Sequence, residues 1–588
     1  MKKIVRYIAV ASVVLGFTAC DDLFEPAIEN IKDENTIDSQ ANYADEILRS
    51  AYLLMPYPGD PENDVATDDA VSNDINNAYK TMAEGGWTSR TGVSVNNWRD
   101  RNASIQYCNI LLEHLDNVTF AANEAVQQMF YERLKGEAYG LRALNMYYLL
   151  QNYAGQNSAG ELLGVPIRTS SFSATSDLNV KRDSFQACMD QLMADADAAI
   201  ELLPTDYVDL TDSQLPTKYA NMGIVAATYN RVNGSNTALR LSGRMVEAIV
   251  AQAALLAASP AFSDQSGVTW ADAANRSAKL LKRIGGVAGM SPTGHLWYTA
   301  KEIGDNVTKA ENHDEVIWRG NAETNSSREA NNFPPSLYGN GRVNPTQNLV
   351  DAFPMLNGYP ISDSRSGYDA SNPYAGRDPR LDAYIVVNGS SLGVNNDVIN
   401  TTADSDNKDG INKEAGISTR TGYYLRKLLR SDVDPNSTNK VDKPHYTTRI
   451  RYTEIFLAYA EAANEAWGPK SDNGNGFSAY DVIKAIRSRA GITDTSYLDQ
   501  CAASKESMRE LIRNERRIEL CFENKRFWDL RRWNADLTEN ARGMRISGNT
   551  YDSNFEVEKR DFKPYMIYGP LPYEDVLKFS NLEQNAGW

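Results

Sequence analysis

Apolar residues recur every three to four positions in two parts of the chain, one before residue 258 and one after residue 450. Because an α-helix has 3.6 residues per turn, this spacing places the apolar side chains of each segment on one helical face. The spacing predicts helices over 39–54, 98–115, 124–150, 184–203, 217–232, 241–258, 453–465, 479–489 and 505–533. Successive helices of this size pair as the helix–turn–helix units of a solenoid. The pattern therefore predicts a mostly α fold with a helical-repeat scaffold.

The segment between these parts, residues 259–449, shows little helical periodicity. Gly, Asn, Ser, Asp and Pro dominate it, and short apolar runs at 315–319 and 384–387 predict strands. A large insertion on a repeat scaffold usually lies on one face, often the binding face. We therefore divide the chain into an N-terminal helical region (39–258), a loop-rich insertion with short strands (259–449) and a C-terminal helical region (450–588). We expect 39–588 to form one compact unit.

The stretch LIRNERRIELCFENKRFWDLRRW, at 511–533, combines an apolar helical face with many charges. Opposite charges three positions apart can meet on the surface of a helix. Three such pairs occur here: Glu510–Arg513, Arg516–Glu519 and Glu523–Arg526. By itself, this pattern predicts a charged helix that docks against a large core.

The same stretch closely resembles the C-terminal signature of the SusD/RagB family, the nutrient-binding surface lipoproteins of Bacteroidetes. Further segments resemble the family along nearly the whole chain: GVPI at 164–167, NHDEVIW at 312–318, MLNGYPISDSRSGYDASNPYAGRDPRL at 355–381 and RYTEIFLAYAEAAN at 451–464. The resemblance implies a TPR-like scaffold that binds glycan without catalysis. It also implies a partner, a SusC-like TonB-dependent transporter of the outer membrane, to which the protein passes oligosaccharide for uptake.

The N-terminus reads MKKIVRYIAVASVVLGFTAC. Three basic residues, a short apolar run and small residues before Cys20 are typical of a secretory signal, so we interpret 1–19 as a signal peptide. Cys20 lies where a bacterial lipoprotein is cleaved and acylated, although Phe17 departs from the usual leucine. We expect 20–38 to be a lipidated tether, and the resemblance implies attachment to the outer membrane, facing the cell exterior.

Charge and motifs narrow the function classes. The formal net charge is −17, which disfavours a nucleic-acid binder, and no HExxH, zinc-ligand spacing or P-loop occurs. Residues 389–393 fit the GxSxG pattern of serine hydrolases, but a polar, loop-like segment follows where a nucleophile elbow requires a helix. We therefore expect no enzyme. The cysteines beyond Cys20 fit no metal or redox motif, and we expect free buried thiols at Cys108, Cys188, Cys501 and Cys521.

An acidic loop follows the first predicted helix. Its carboxylates are Asp60, Glu62, Asp64, Asp68, Asp69 and Asp74. Hard oxygen ligands of this kind can hold Ca²⁺, but the loop lacks the spacing of an EF-hand. We expect a solvated acidic loop and no cofactor, with Ca²⁺ as the alternative.

Aromatic rings in polar loops are the candidates for sugar binding, because sugars present apolar C–H faces edged by hydroxyl groups. The candidate ligand-binding residues are Tyr79, Trp87, Trp98, Trp270, Trp297, Tyr298 and Tyr338, with Asn96, Asn97, Arg99 and Arg101 as polar partners. Trp87 lies between GG and TSR and is the one least expected in a core. Trp98 begins a predicted helix, so packing against the core is an equal alternative for it.

Two other hypotheses stay open at this point. The same architecture could bind peptide or another nutrient, because RagB-type members are linked to peptides. Alternatively, a secreted glycoside hydrolase could use a pair of loop carboxylates, which the sequence cannot select from 77 acidic residues.

Overall fold

The computed structural model describes residues 35–173 and 175–588. In that part of the chain, ten helices have eight or more residues and are labelled α1 to α10: Ala41–Leu53, Gly92–His114, Glu124–Tyr153, Phe185–Leu202, Ala226–Asn233, Gly243–Ala258, Trp270–Lys282, Tyr452–Trp467, Ala479–Arg489 and Lys505–Leu520. Shorter α-helices span Asn35–Ser39, Ala78–Thr81, Thr217–Asn221, Ala300–Ile303, Ser327–Asn332, Gln347–Ala352, Pro379–Tyr384, Ser496–Cys501, Arg526–Arg532 and Tyr573–Lys578. The prediction of a mostly α fold is confirmed.

The strands are short and are labelled β1 to β14: Ala70–Ser72, Gly155–Gln156, Leu162–Leu163, Val316–Arg319, Glu323–Asn325, Val343–Pro345, Ile385–Val386, Ser391–Leu392, Asp397–Val398, Tyr424–Leu425, Lys443–His445, Thr448–Arg451, Ala541–Ser547 and Thr550–Glu558. Within the described residues they form seven separate antiparallel pairs. Two pairs tie distant parts together: β1 with β6 joins the acidic loop to the insertion, and β4 with β12 joins the insertion to the start of α8.

The helices pack in a continuous series. α1 packs on α2, α2 on α3, α3 on α4, α4 on α6, α6 on α7, α7 on α8, and α8 on α10. The largest apolar core runs through these helices, and a second core lies within the insertion. α3 shows why the sequence forms such elements: the Asn123 side chain caps its N-terminus by accepting from the Val126 N–H at 3.0 Å. Leu134, Ala138 and Leu141 then recur on its buried face.

Three sequence predictions need correction here. Residues 217–232 were expected to form one helix, but two separate helices, Thr217–Asn221 and Ala226–Asn233, lie there. The segment 259–449 was expected to have sparse helicity, yet α7 lies inside it and packs on the scaffold. Residues 505–533 were expected to form one helix, but α10 ends at Leu520 and a separate helix follows at Arg526–Arg532. The break is a tight turn in which Phe522 and Asn524 both adopt positive φ, at 63° and 58°. Contacts of Asn524 with a distant loop stabilise this turn, so local periodicity does not reveal it.

The charges of the 511–533 stretch also differ from the prediction. Of the three expected i, i+3 pairs, Glu510–Arg513 is present at 3.9 Å. Arg516 instead pairs with Asp529 at 2.7 Å. The remaining charges of the stretch turn inward and bind distant parts of the chain.

A buried ion network forms around Glu515 and Glu519 of α10, both fully buried. Arg380, also fully buried, contacts Glu515 at 2.9 Å and Glu519 at 3.1 Å. Arg451 at the end of β12 reaches Glu519 at 3.3 Å, and Arg489 of α9 reaches it at 2.7 Å. The three guanidinium groups hold the pKa of Glu519 well below its usual range although burial opposes this.

The predicted signal peptide (1–19) and most of the predicted tether (20–38) lie outside the residues that the structure describes. Residues 1–34, which include the predicted signal peptide and Cys20, lie outside the described residues. Among the described residues, none of the helices combines the length and the apolar character that crossing a bilayer requires.

We expect Glu519→Gln to destabilise the fold by about 3–5 kcal/mol, because three buried guanidinium groups lose a shared counter-charge. Urea denaturation at neutral pH measures this change. Glu510→Gln, on the exposed side of the same helix, is the control and should change stability by less than about 1 kcal/mol. Equal stability of the two variants would contradict the importance of the network.

Candidate functional site

A cavity of about 360 Å³ lies where the loop after α1 meets the C-terminal signature. This volume is in the range of small-molecule binding sites. Helices α2, α3 and α6 contribute one side of the lining, and the loop 53–63 and the segment 447–451 contribute others. The turn and helix at 522–532 complete it.

The turn after α10 holds the loop wall in place. The Asn524 side-chain oxygen accepts hydrogen bonds from the N–H groups of Glu62 at 2.8 Å and Asn63 at 3.0 Å. In return, the Asn524 N–H donates to Asp64 at 3.0 Å, and its side-chain amide donates to the Asp60 carbonyl at 3.1 Å. The signature therefore shapes the cavity even where its side chains do not line it.

The expectation of a solvated acidic loop is wrong for three of its six carboxylates, while Glu62 is exposed and Asp60 and Asp74 are half-buried. Asp64, Asp68 and Asp69 are buried. Asp68 pairs with Arg517 and Arg526, both at 2.8 Å, and Asp69 pairs with Arg517 at 2.6 Å. Burial raises the pKa of Asp64 to about 7. In the described part of the chain, no group of three His, Cys, Asp or Glu side chains is arranged to hold a metal ion.

Half-buried aromatic rings line the cavity from different elements. Tyr57, in the loop after α1, meets Tyr148 of α3 edge-on with ring centres 5.7 Å apart. Tyr79 lies on the short helix Ala78–Thr81, which Asn77 caps. Trp528 packs edge-on against a neighbouring phenylalanine, at 4.9 Å, and lines the C-terminal side. Rings of this kind offer apolar faces beside polar groups.

Several buried polar atoms of the lining make no hydrogen bond within the described residues. They are Asn63 Oδ1, Arg101 Nε, Gln252 Oε1, Trp297 Nε1, Thr448 Oγ1 and Arg516 Nη1. Buried polar atoms are normally paired, so a cluster without protein partners indicates a surface suited to a polar ligand. The set contains both donors and acceptors, which matches hydroxyl groups because each hydroxyl can donate and accept.

Among the predicted ligand-binding residues, the structure brings Tyr79 and Trp297 together in the cavity lining. Trp297 is buried and stacks on Tyr446 with an interplanar angle of 18°, so a ring face is not free for a sugar. Its unpaired Nε1–H is the group that would serve a ligand. Asn97 and Arg101, expected as polar partners, also line the cavity.

The expectation that Trp87 lies outside the core is wrong. Its side chain is 5% exposed and packs with Phe527, Phe562 and Trp588. The guanidinium of Arg531 lies 4.9 Å from the centre of the Trp87 ring and 3.4 Å from that of Phe527. The sequence neighbours of Trp87 are polar, but these packing partners come from residues 527–588.

The other predicted residues lie apart from this cavity lining. Trp98 is buried and packs edge-on against Tyr153, which matches the alternative of core packing. Tyr298 is buried, and its hydroxyl donates to the Ala383 carbonyl at 2.8 Å. Trp270 begins α7 and packs half-buried against the main core. Tyr338 is 61% exposed, with a positive φ of 63°.

Sequence reasoning did not select several of the lining residues. Gln252 and Arg449 lie in segments whose sequences read as helix core or strand end. Trp528 lies in a segment with helical periodicity, where a tryptophan more often packs in the core. The signal that could have found Tyr57 is its position in the Pro-rich run MPYPGD, which excludes regular structure.

Two further expectations can be compared with the structure. Within the GxSxG match, Ser391 begins β8, which pairs with β9 as a small hairpin, so the strand–turn–helix geometry of a nucleophile elbow does not form there. The thiols of Cys108, Cys188, Cys501 and Cys521 are free and buried, as expected.

Two family models match the chain. The model described as "SusD family" matches residues 310–588, and the model described as "Starch-binding associating with outer membrane" matches residues 26–230. Together they include the loop after α1, helices α2 and α3, and the C-terminal signature, which are the main walls of the cavity.

Individual proteins agree with these matches. SusD-like protein P25 of Formosa agariphila is 25% identical over 284 residues, covering 45% of this chain and about half (47%) of the relative. A crystal structure of a SusD-like protein from Bacteroides fragilis has a TM-score of 0.71 at 22% identity, covering 96% of this chain and 100% of the other. A SusD-like carbohydrate binding protein of the same species has a TM-score of 0.67 at 20% identity, covering 93% and 100%. The predicted TPR-like helical scaffold is confirmed.

We expect Trp87→Ala to act on stability and not on ligand binding. Removing a buried tryptophan should cost about 3–5 kcal/mol of unfolding free energy, and the variant loses the cation–π contact with Arg531 in addition. Urea denaturation measures this effect. Tyr338→Ala, which truncates an exposed ring, is the control and should remain within about 0.5 kcal/mol of the wild type. A stable Trp87→Ala protein would contradict the packing described above.

Proposed function

The chain belongs to the SusD/RagB family, and from this premise we propose that it is a non-catalytic glycan-binding protein of the outer-membrane surface. It binds oligosaccharide in the cavity and delivers it to a SusC-like TonB-dependent transporter. It is held at the membrane by acyl chains on Cys20. The match of 26–230 to a family described as starch-binding and associating with the outer membrane is the observation that carries the proposal.

The lining of the cavity supports a sugar ligand. Half-buried rings of Tyr57, Tyr79 and Trp528 can lie against C–H faces, while unpaired donors and acceptors can meet the hydroxyl groups. The rings come from three different elements, so a sugar chain can contact them in succession. Binding and release of this kind need no chemical step.

The carboxylates of the lining support binding over hydrolysis. A glycosidase needs one carboxylic acid that stays protonated and a second carboxylate opposite it. In this cavity, Glu523 pairs with Arg451 at 2.8 Å and Asp529 pairs with Arg516 at 2.7 Å, and these partners lower the pKa of both carboxylates although burial opposes this. Glu62 is the group that a hydrolytic alternative would use, because partial desolvation of its carboxyl group and the nearby Asp60 carboxylate raise its pKa.

A glycan array followed by calorimetry tests the proposal. We expect purified protein to bind one class of oligosaccharide and to leave it uncut after prolonged incubation, as judged by mass spectrometry. Tyr79→Ala and Trp528→Ala should each weaken binding about tenfold, because a ring–sugar contact is worth roughly 1–1.5 kcal/mol. Tyr338→Ala is the matched control and should bind as the wild type does.

The outcomes separate the alternatives. A blank array together with binding to a peptide library would contradict the glycan proposal. Cleavage of the bound glycan that disappears in Glu62→Gln would replace the binding role by hydrolysis.

Attachment and partnership have their own test. We expect the wild-type protein in native membranes to fractionate with the outer membrane and to copurify with a TonB-dependent transporter after mild detergent extraction. Cys20→Ala should shift the protein to the soluble fraction, because acyl chains would supply its membrane affinity. Membrane retention of Cys20→Ala, or purification without any transporter, would contradict the corresponding part of the proposal.

A further inference from the structure

Arg101 of α2 is a buried guanidinium group without a counter-charge in contact. Arg101 is 3% exposed, and its side chain lines the cavity. Within the described residues it makes no ion pair, and its Nε has no hydrogen-bond partner. A charged group in this state is costly, because burial removes its water without supplying a partner. Burial accordingly lowers the pKa of Arg101 below its usual value.

Arg449 of β12 is a second arginine of the cavity lining; it is half-buried and, among the described residues, makes no ion pair. Its guanidinium lies 4.8 Å from the Trp318 ring centre and 5.7 Å from the Tyr57 ring centre. Among the described residues its recorded contacts are with aromatic rings, and burial lowers its pKa.

The other charges of the lining have partners. Five other basic residues of the lining each have a carboxylate within 4 Å. These ion pairs are Arg451–Glu523 (2.8 Å), Lys525–Glu454 (2.8 Å), Arg516–Asp529 (2.7 Å), Arg532–Asp529 (2.8 Å) and Arg328–Asp60 (3.9 Å). Asp100 is partly exposed and pairs with Arg99 at 3.0 Å. Glu62 is exposed. The unpaired buried charges of the lining are therefore positive.

We propose that the oligosaccharide bound in this cavity is acidic, and that Arg101 and Arg449 receive its carboxylate or sulfate group. This inference rests on the proposed glycan-binding function and adds the chemical class of the ligand. Guanidinium groups donate several hydrogen bonds in a plane, which suits both carboxylate and sulfate oxygens. Tyr57, Tyr79 and Trp528 lie against the sugar rings.

The net charge of the chain makes this arrangement informative. A protein of net charge −17 repels anions at long range, so an anionic ligand requires a local positive site. A neutral sugar can accept hydrogen bonds from these two guanidinium groups but cannot neutralise their charge, whereas an anionic group does both. An anionic substituent pairs with these guanidinium groups. The pairing offsets the free energy that their burial costs and so strengthens binding.

The test uses full-length protein and an array that holds uronic-acid, sulfated and neutral oligosaccharides. We expect binding to acidic members. Calorimetry then compares the affinity for each hit with that for the same glycan after its carboxyl groups are reduced or its sulfate groups are removed. The modification that weakens binding identifies the anionic group that the protein binds. Arg101→Met and Arg449→Met should each weaken binding of the acidic glycan at least tenfold, since a charged hydrogen bond is lost.

Arg99→Met is the matched control, because Arg99 lies two positions before Arg101 on α2 and is partly exposed. It should leave affinity unchanged. Thermal unfolding without ligand supplies a second readout: Arg101→Met should melt at the wild-type temperature or above it, because a buried charge without a partner is removed. A purely structural arginine would instead lower the melting temperature.

Each contrary outcome has a distinct meaning. Binding of neutral glycans alone, or wild-type affinity in both methionine variants, overturns the acidic ligand and leaves glycan binding intact. A clearly lowered melting temperature of Arg101→Met overturns the assignment of Arg101. Binding of acidic peptides with no glycan bound overturns both this inference and the proposed function.

Discussion

The fold depends on one buried cluster of charges centred on Glu519. Arg380, Arg451 and Arg489 approach this carboxylate from the insertion, from β12 and from α9, while Glu519 itself lies on α10. Each ion pair is directional, and removal of one member would leave its partners charged and unpaired in the interior, so the cluster holds the four segments in a defined arrangement. Glu315, from another part of the insertion, joins the cluster through its contact with Arg451 at 2.8 Å.

The same cluster explains why short sequence segments far apart carry the family resemblance. Glu315 lies in NHDEVIW, Arg380 in the segment 355–381, Arg451 at the start of RYTEIFLAYAEAAN, and Glu519 in the C-terminal signature. In the folded chain these four segments meet. The four segments that resemble the family therefore each contribute a charged residue to the same junction in the folded protein.

The cavity is built on that junction. The turn that follows α10 binds the loop after α1 through Asn524, and Arg517 and Arg526 hold its carboxylates Asp68 and Asp69. The elements that bear the aromatic rings and the unpaired polar atoms of the lining are therefore held in position by the ion network. A rigid scaffold under a loop-built site is the usual arrangement for binding proteins. It also separates the residues that hold the site from those proposed to touch the ligand.

The sequence alone determined most of the long helices, because their apolar periodicity is local: α9 has the predicted bounds, and α3 was placed within three residues. It missed α7 and the breaks at 221–226 and 520–526. The sequence also indicated the family, through four segments that each supply a charged residue to the ion cluster around Glu519. Only the tertiary structure decided which aromatic and charged residues face the cavity. Trp87, between polar neighbours, is buried by rings and by an arginine from the C-terminal part of the chain. Arg101, one of several polar candidates, is distinguished by its burial without an ion pair among the described residues. Burial and charge pairing depend on residues that are distant in sequence, and no local pattern contains that information.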